Sequence, residues 1–218
     1  MSELERKEPG DSSQRCRRPY RMGQRVATMD ETRARIVAAA RELILGENAL
    51  AGFSIELVAR QANVTRMTVY NRFVSRRGLL EALFDEVGAS GRMHERMHEV
   101  FAHPDAKDAL RAYVALFCDF WDGERAMHRR LRAFAQLDEE FASAIASRLE
   151  RHQHAVETLL RRLGSDASPE MEERVQTVMA LTSFEFYDVL AGPRDAQEMA
   201  PLVLQLVLSA LSLDEEPG

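Results

Sequence analysis

The chain has 218 residues, room for one large domain or two small ones, and 45% of its side chains are hydrophobic, the usual share for a globular protein. Its two cysteines, Cys16 and Cys118, form no CxxC pair, so nothing suggests a disulfide framework or a structural zinc, and a reducing, cytoplasmic compartment is the default expectation. The polar N-terminus lacks the apolar stretch of a secretory leader. The longest apolar run, Ala200 to Leu211, is shorter than the roughly 20 residues of a membrane span, so no membrane partner is expected. The net charge of −6 is unevenly spread: residues 1–78 hold 15 basic and 9 acidic side chains, a net of +6, and the remainder nets −12. A basic first third on an acidic remainder suggests that only the first part meets a polyanion.

Taken in chain order, residues 1–28 read as a disordered basic arm, rich in charge, Ser, Gly and Pro, with a minor-groove role for its arginines as one possibility. From Asp30 the pattern becomes helical. Ile36, Val37, Ala40, Leu43 and Ile44 share one face of a first helix over 30–45, closed by Gly46. Ser54 is placed to cap a second helix over 55–62, which buries Leu57, Val58 and Ala62. Asn63 tolerates the left-handed turn that follows. Thr65 then caps a third helix over 66–73, and Ser75 caps a fourth from Arg76 that carries Leu79, Leu80, Leu83, Phe84 and Val87. Two short helices joined by Asn63-Val64-Thr65 form a helix-turn-helix over 54–73. Further helices are expected over 105–122, 124–135, 138–163, 169–190 and 195–212, with Pro201 a potential kink and no period-2 strand anywhere.

Five features between Thr32 and Val87 recur together in one known pattern. They are the first-helix spacing, Ser54-Ile55, Val58-Ala59, the block Val64-Thr65, Thr68-Val69-Tyr70 and Phe73, and Ser75-Arg76 ahead of Leu79-Leu80. This segment, about a quarter of the chain, resembles the TetR family of bacterial transcriptional regulators. The turn position often held by Gly is Asn63, a position usually small is Met67, and the usual Lys after the Ser cap is Arg76, whose planar fork suits phosphate. The resemblance implies an all-α chain: an N-terminal three-helix helix-turn-helix DNA-binding domain over 29–76 and a C-terminal helical ligand-binding and dimerisation domain over 77–218.

The third helix should enter the major groove, with Thr65, Arg66, Met67 and Thr68 facing base edges and Arg66 suited to guanine. Tyr70 and Asn71 are placed for phosphate or an adjacent base, although Tyr70 also reads as a core aromatic. By resemblance, Thr32, Ser54 and Arg76 hold the DNA backbone, with Ser54 and Thr65 equally well explained as caps.

In the second domain Met97, Phe101, Tyr113, Phe117, Phe120, Trp121, Phe134, Met179 and Phe186 are candidate pocket residues, because Met and aromatic side chains suit an adaptable apolar site. The same types at helical spacing also build ordinary core, and the resemblance is what raises the pocket reading. The last helix is apolar almost all round, which calls for burial against a partner. Val178, Leu204, Val207, Leu208 and Leu211 are therefore expected in a homodimer interface, a four-helix bundle in the family.

His94-Glu95-Arg96-Met97-His98 matches the HExxH pattern of zinc proteases, with Glu124 a candidate third ligand. A three-position pattern arises by chance on a polar helix, and a solvated face is the preferred reading. His152-Gln153-His154 is read as a polar face too. The expectation is thus a non-enzymatic regulator with no cofactor, no catalytic residue and no metal site. Its partners are double-stranded DNA, a small-molecule effector and a second copy of itself. Repression relieved by a small apolar ligand is the leading form. A ligand-independent or activating regulator, or a zinc hydrolase built on His94 and His98, is the alternative.

Overall fold

The computed structural model describes residues 18–46, 53–164 and 169–213, and every regular element among them is an α-helix. The order is α1 (Arg18–Leu45), α2 (Ile55–Gln61), α3 (Arg66–Phe73), α4 (Arg76–Ser90), α5 (Met93–Ala102), α6 (Ala106–Gly123), α7 (Arg125–Ala135), α8 (Glu139–Arg162), α9 (Pro169–Leu181), α10 (Phe184–Ala191) and α11 (Ala196–Ala210).

Short polar side chains set most of the helix starts. Ser54, Thr65 and Ser75 accept from the backbone N–H groups of Leu57, Thr68 and Gly78 at 3.3, 3.1 and 3.0 Å. Asp105, Asp138 and Ser183 cap α6, α8 and α10 in the same way, and Asp195 with Glu198 closes a capping box on α11.

The structure departs from the sequence reading in three places. First, α1 begins at Arg18 rather than Asp30, so residues 18–28, read as part of a disordered arm, are helical. Once the apolar stripe around Ile36 has nucleated a helix, each upstream residue adds a hydrogen bond without a new nucleation cost. Residues 1–17, with Cys16, lie outside the described residues. Second, the helix expected over 169–190 is two. Ser183 offers its hydroxyl to Phe186 N–H at 3.1 Å, and Trp121 Nε1 donates to the Thr182 carbonyl at 2.9 Å, so the broken backbone is satisfied from both sides. Third, α5 is a helix of its own, set off from α4 by Gly91 and by Arg92 at φ +49°.

The helices bury two apolar clusters. One fills the space between α6, the second half of α8, and α9–α11, around Tyr113, Leu116, Val178, Tyr187 and Val207. The other joins α1–α4 to α7 and the start of α8, combining Ile36, Val58, Val69 and Leu83 with Met127, Leu131, Phe134 and Phe141. The head formed by α1–α3 is therefore not a separate bead: its core continues past residue 77 into α7 and α8.

Two backbone details fix how α3 meets α4. Val74 sits at φ +65°, ψ −43°, with Ser75 N–H donating to the Phe73 carbonyl at 2.6 Å, a three-residue γ-turn. A β-branched residue is strained there, and Val74 is 85% exposed, so packing offsets none of the cost. Gly78 then passes so close that a β-carbon would lie 2.0 Å from the Phe73 carbonyl oxygen. Only glycine lets α4 start against the end of α3.

Candidate functional site

The helix-turn-helix forms as its sequence indicates. Asn63 takes φ +51° between α2 and α3, and α3 covers the residues expected of it. Val69 and Phe73 turn inward and lock α3 to the head core. Thr65, Arg66, Met67 and Asn71 are exposed, Thr68 and Tyr70 are half-buried, and together they form one edge of α3. Met67 is 65% exposed, a degree of exposure that no role in the fold explains. Arg66 pairs with Glu56, and its Nη2 donates to the Tyr70 hydroxyl at 3.3 Å. The guanidinium is held at the edge rather than waving in solvent. Ser54 caps α2, and Thr32 is half-buried on α1.

Arg76 is placed differently from the sequence expectation. It is not presented outward as a phosphate clamp. Its two terminal nitrogens grip Asp138 at 2.6 and 3.1 Å and also reach Glu140, and its guanidinium carbon lies 5.4 Å from the Phe53 and Phe141 ring centres. The Arg76 fork holds the Asp138 carboxyl below the usual carboxylate range. The side chain that was to hold DNA instead joins α4 to α8. Arg77, exposed on the next position, donates to Ser143 at 2.8 Å.

The body contains a cavity of about 650 Å³ between α4, α5, α6, α7 and α8. Of the nine candidate pocket residues, Met97, Phe117, Phe120 and Trp121 line it. Tyr113 is fully buried against Phe117, and Phe134 belongs to the head cluster, stacked on Phe141 at 4.8 Å. Phe101, Met179 and Phe186 are partly buried elsewhere on the body core.

Among the lining residues that sequence reasoning missed are two buried histidines, His128 and His152, only 6% and 8% exposed. His152 is not part of a polar face: it stacks on Phe117 with centroids 4.2 Å apart, while Gln153 and His154 point to solvent. The Thr182 hydroxyl donates to the Val178 carbonyl at 2.7 Å, so its oxygen is left to accept from His152 Nε2 at 3.1 Å. Burial, reinforced by the charge of Arg132, lowers the His128 pKa to about 3 and that of His152 to about 4, and both rings are neutral at physiological pH. The signal was present: His128 falls in the apolar stripe Met127, Leu131, Phe134 of α7, and His152 falls in that of Phe141, Ala144, Val156 and Leu159 on α8.

The expected dimer residues also lie elsewhere than anticipated. Val178, Leu204, Val207, Leu208 and Leu211 are all buried inside the single chain, against α6 and α9, and present nothing to a partner. The outward apolar positions of this region are Val189, 87% exposed, and Leu206, 37% exposed, with Leu202 half-buried beside them.

His94 and His98 are exposed on α5. Glu95 pairs with Arg92 at 2.6 Å, and Glu124 accepts from Arg41 at 2.7 Å and from Ser90 at 3.2 Å. Among the described residues no group of three or more His, Cys, Asp or Glu side chains is disposed to hold a metal ion. Cys118 is a buried free thiol whose pKa desolvation pushes up to about 12, so it is unreactive as a nucleophile. No described helix is long and apolar enough to cross a membrane.

The architecture is thus a capped helix-turn-helix on an all-helical body with an apolar cavity. Residues 36–83 match the family model described as bacterial regulatory proteins, tetR family. The chain has the fold of the TetR-family transcriptional regulators. A putative TetR-family regulator from Syntrophomonas wolfei superposes with a TM-score of 0.66 at 16% identity, over 86% of this chain and 97% of that one. A TetR-like regulator from Rhodococcus sp. RHA1 gives 0.62 at 17% identity, over 84% and 97%. The regulator FadR from Bacillus subtilis, solved in complex with stearoyl-CoA, gives 0.62 at 21% identity, over 81% and 97%. The comparison with curated proteins finds no match.

Proposed function

We propose that this protein is a homodimeric transcriptional repressor that leaves a palindromic operator when a small, largely apolar ligand enters the cavity of its body. The observation that carries the reading is the edge of α3. A short helix, locked by Val69 and Phe73 and capped by Thr65, exposes Arg66, Met67 and Asn71, which the fold does not need. Such an edge fits the major groove, with Arg66 donating to guanine and Met67 against an apolar base surface. Thr32 and Ser54 are the backbone contacts of this reading, together with Arg77 in place of the occupied Arg76. The basic first third supplies the attraction to phosphate.

The route from cavity to head is short. Helix α7 lines the cavity with His128 and Arg132 and sends Met127, Leu131 and Phe134 into the head cluster. The Arg76–Asp138 grip joins α4 to α8. A ligand that binds one disposition of α7 and α8 better than another shifts the head with them, to the extent of its differential affinity. Dimerisation fits the outward face of α10 and α11 around Val189, Leu202 and Leu206. It sets two α3 helices about one DNA turn, roughly 34 Å, apart.

Gel retardation with the DNA upstream of the protein's own gene tests the reading. A specific, salt-sensitive complex is expected, and binding no tighter than to random DNA would refute it. Leu206→Arg should give monomers on a sizing column and lose the retarded band; an unaltered dimer would move the interface elsewhere.

A further inference from the structure

The cavity wall contains one buried polar atom that the protein leaves unused. His128 Nε2 is buried and has no hydrogen-bond partner. An unpaired buried polar atom is a cost that native structures seldom carry without a reason. The ring is boxed by aromatics: Phe120 and Trp121 each stand edge-on to it at 4.7 Å, and Phe184 lies 5.3 Å away. The Phe120 backbone favours a proton on the ring. With that proton on Nδ1, the neutral imidazole offers Nε2 as a lone-pair acceptor.

Among the charged groups around the cavity, Arg151 is exposed to solvent and the others are paired. Arg132 pairs with Glu185 at 3.0 Å, Arg92 with Glu95 at 2.6 Å, and Arg148 with Glu81 and Asp85 at 2.7 and 3.1 Å. The apolar part of the wall is made by Phe84, Met93, Met97, Phe117, Phe120 and Trp121. The enclosed part of the wall therefore asks for an apolar molecule, and its one unmet buried requirement is a donor.

We propose that the cavity binds a neutral, mainly apolar molecule bearing a hydroxyl or N–H, and that His128 Nε2 accepts its hydrogen bond. The inference rests on the ligand-responsive reading above and names its specificity. Nε2 is closed from water as well as from protein partners, so the donor reaches it only when the aromatic wall shifts. Occupancy and movement of the α6–α7 wall are then one event. A ligand lacking the donor fills the same space without meeting the lone pair, and it discriminates less between the two wall positions.

Trp121 is the chain's single tryptophan and lines the cavity, so its fluorescence reports binding directly. The full-length protein is titrated with 1-decanol, 1-methoxydecane and decanoate, chosen because none absorbs with tryptophan. Decanol should bind about tenfold more tightly than its methyl ether, the ratio given by one net hydrogen bond of about 1.4 kcal/mol. In His128→Phe, which keeps a flat ring and removes the nitrogen, alcohol and ether should bind alike. Should that variant not fold, the wild-type ranking decides alone. Ether binding as well as alcohol, or decanoate binding best, overturns the assignment of His128 while leaving a ligand-binding body intact. If no probe moves the Trp121 signal, the ligand-responsive reading falls with it, whereas operator retardation is judged separately.

Discussion

The head and the body use their polar side chains in opposite directions. In the head, the residues proposed to act face outward: Thr65, Arg66, Met67 and Asn71 are what remains of α3 once Val69 and Phe73 have been buried. In the body, the residues proposed to act face inward, and they are made of the same Phe, Met and Trp that fill the core beside them. An outward site stands out because the fold does not require it. An inward site is disguised as packing, and only the polar atoms within it, on His128 and His152, set it apart.

Acid should separate the two regions most strongly. In the unfolded chain both histidines titrate near 6.5, whereas in the fold they stay neutral down to about 3 and about 4. Between these limits the unfolded state holds more protons, so stability falls as the pH falls, by about 1.4 kcal/mol per unit for each ring. From pH 7 to pH 5 the pair costs about 4 kcal/mol. Denaturation midpoints measured at both values should show this loss, and a His128→Phe, His152→Gln double variant should remove most of it. An equal slope in the variant would mean that the rings are not buried neutral.

The outward site should respond in binding and hardly at all in stability. Arg66→Ala is expected to weaken operator binding by about tenfold to a hundredfold, as for loss of an arginine–guanine contact, with an unchanged melting temperature. Unaltered affinity would move base reading away from this edge. The smallest effect lies at the joint of the two regions. Val74→Gly should relieve the strained γ-turn and stabilise the fold by up to about 1 kcal/mol, measured by chemical denaturation, because the left-handed cost it removes slightly exceeds the entropy that glycine adds. Destabilisation would show that the valine is not strained.

How much was legible in the sequence follows from how local each determinant is. The helix-turn-helix could be read because a cap is decided within four residues: Ser54, Thr65 and Ser75 each bond to a backbone N–H three positions on. The cavity could not, because whether Phe120 or Phe134 meets space or another ring depends on helices far away in the chain. Leu204 and Val207 illustrate the same limit. A helix that is apolar all round must be covered, but the sequence does not say by what, and here α6 and α9 cover it rather than a second chain. Arg76 was misjudged for a related reason: a cation beside a cap fits phosphate, and its actual partners lie 62 and 64 positions further on.

Asp138 does two jobs with one carboxylate. It begins α8 by accepting from Glu140 and Phe141 N–H, and it grips Arg76 in the first turn of α4. The junction is thus a pivot with no slack. Any tilt of α8 carries its own first turn with it, and the first turn carries α4, so displacement is handed across whole rather than dissipated in a loop. Because Glu140 in the same turn also pairs with Arg76, a double variant, Asp138→Ser with Glu140→Ala, still caps α8 but no longer binds the arginine, so it keeps both helices and uncouples their motion.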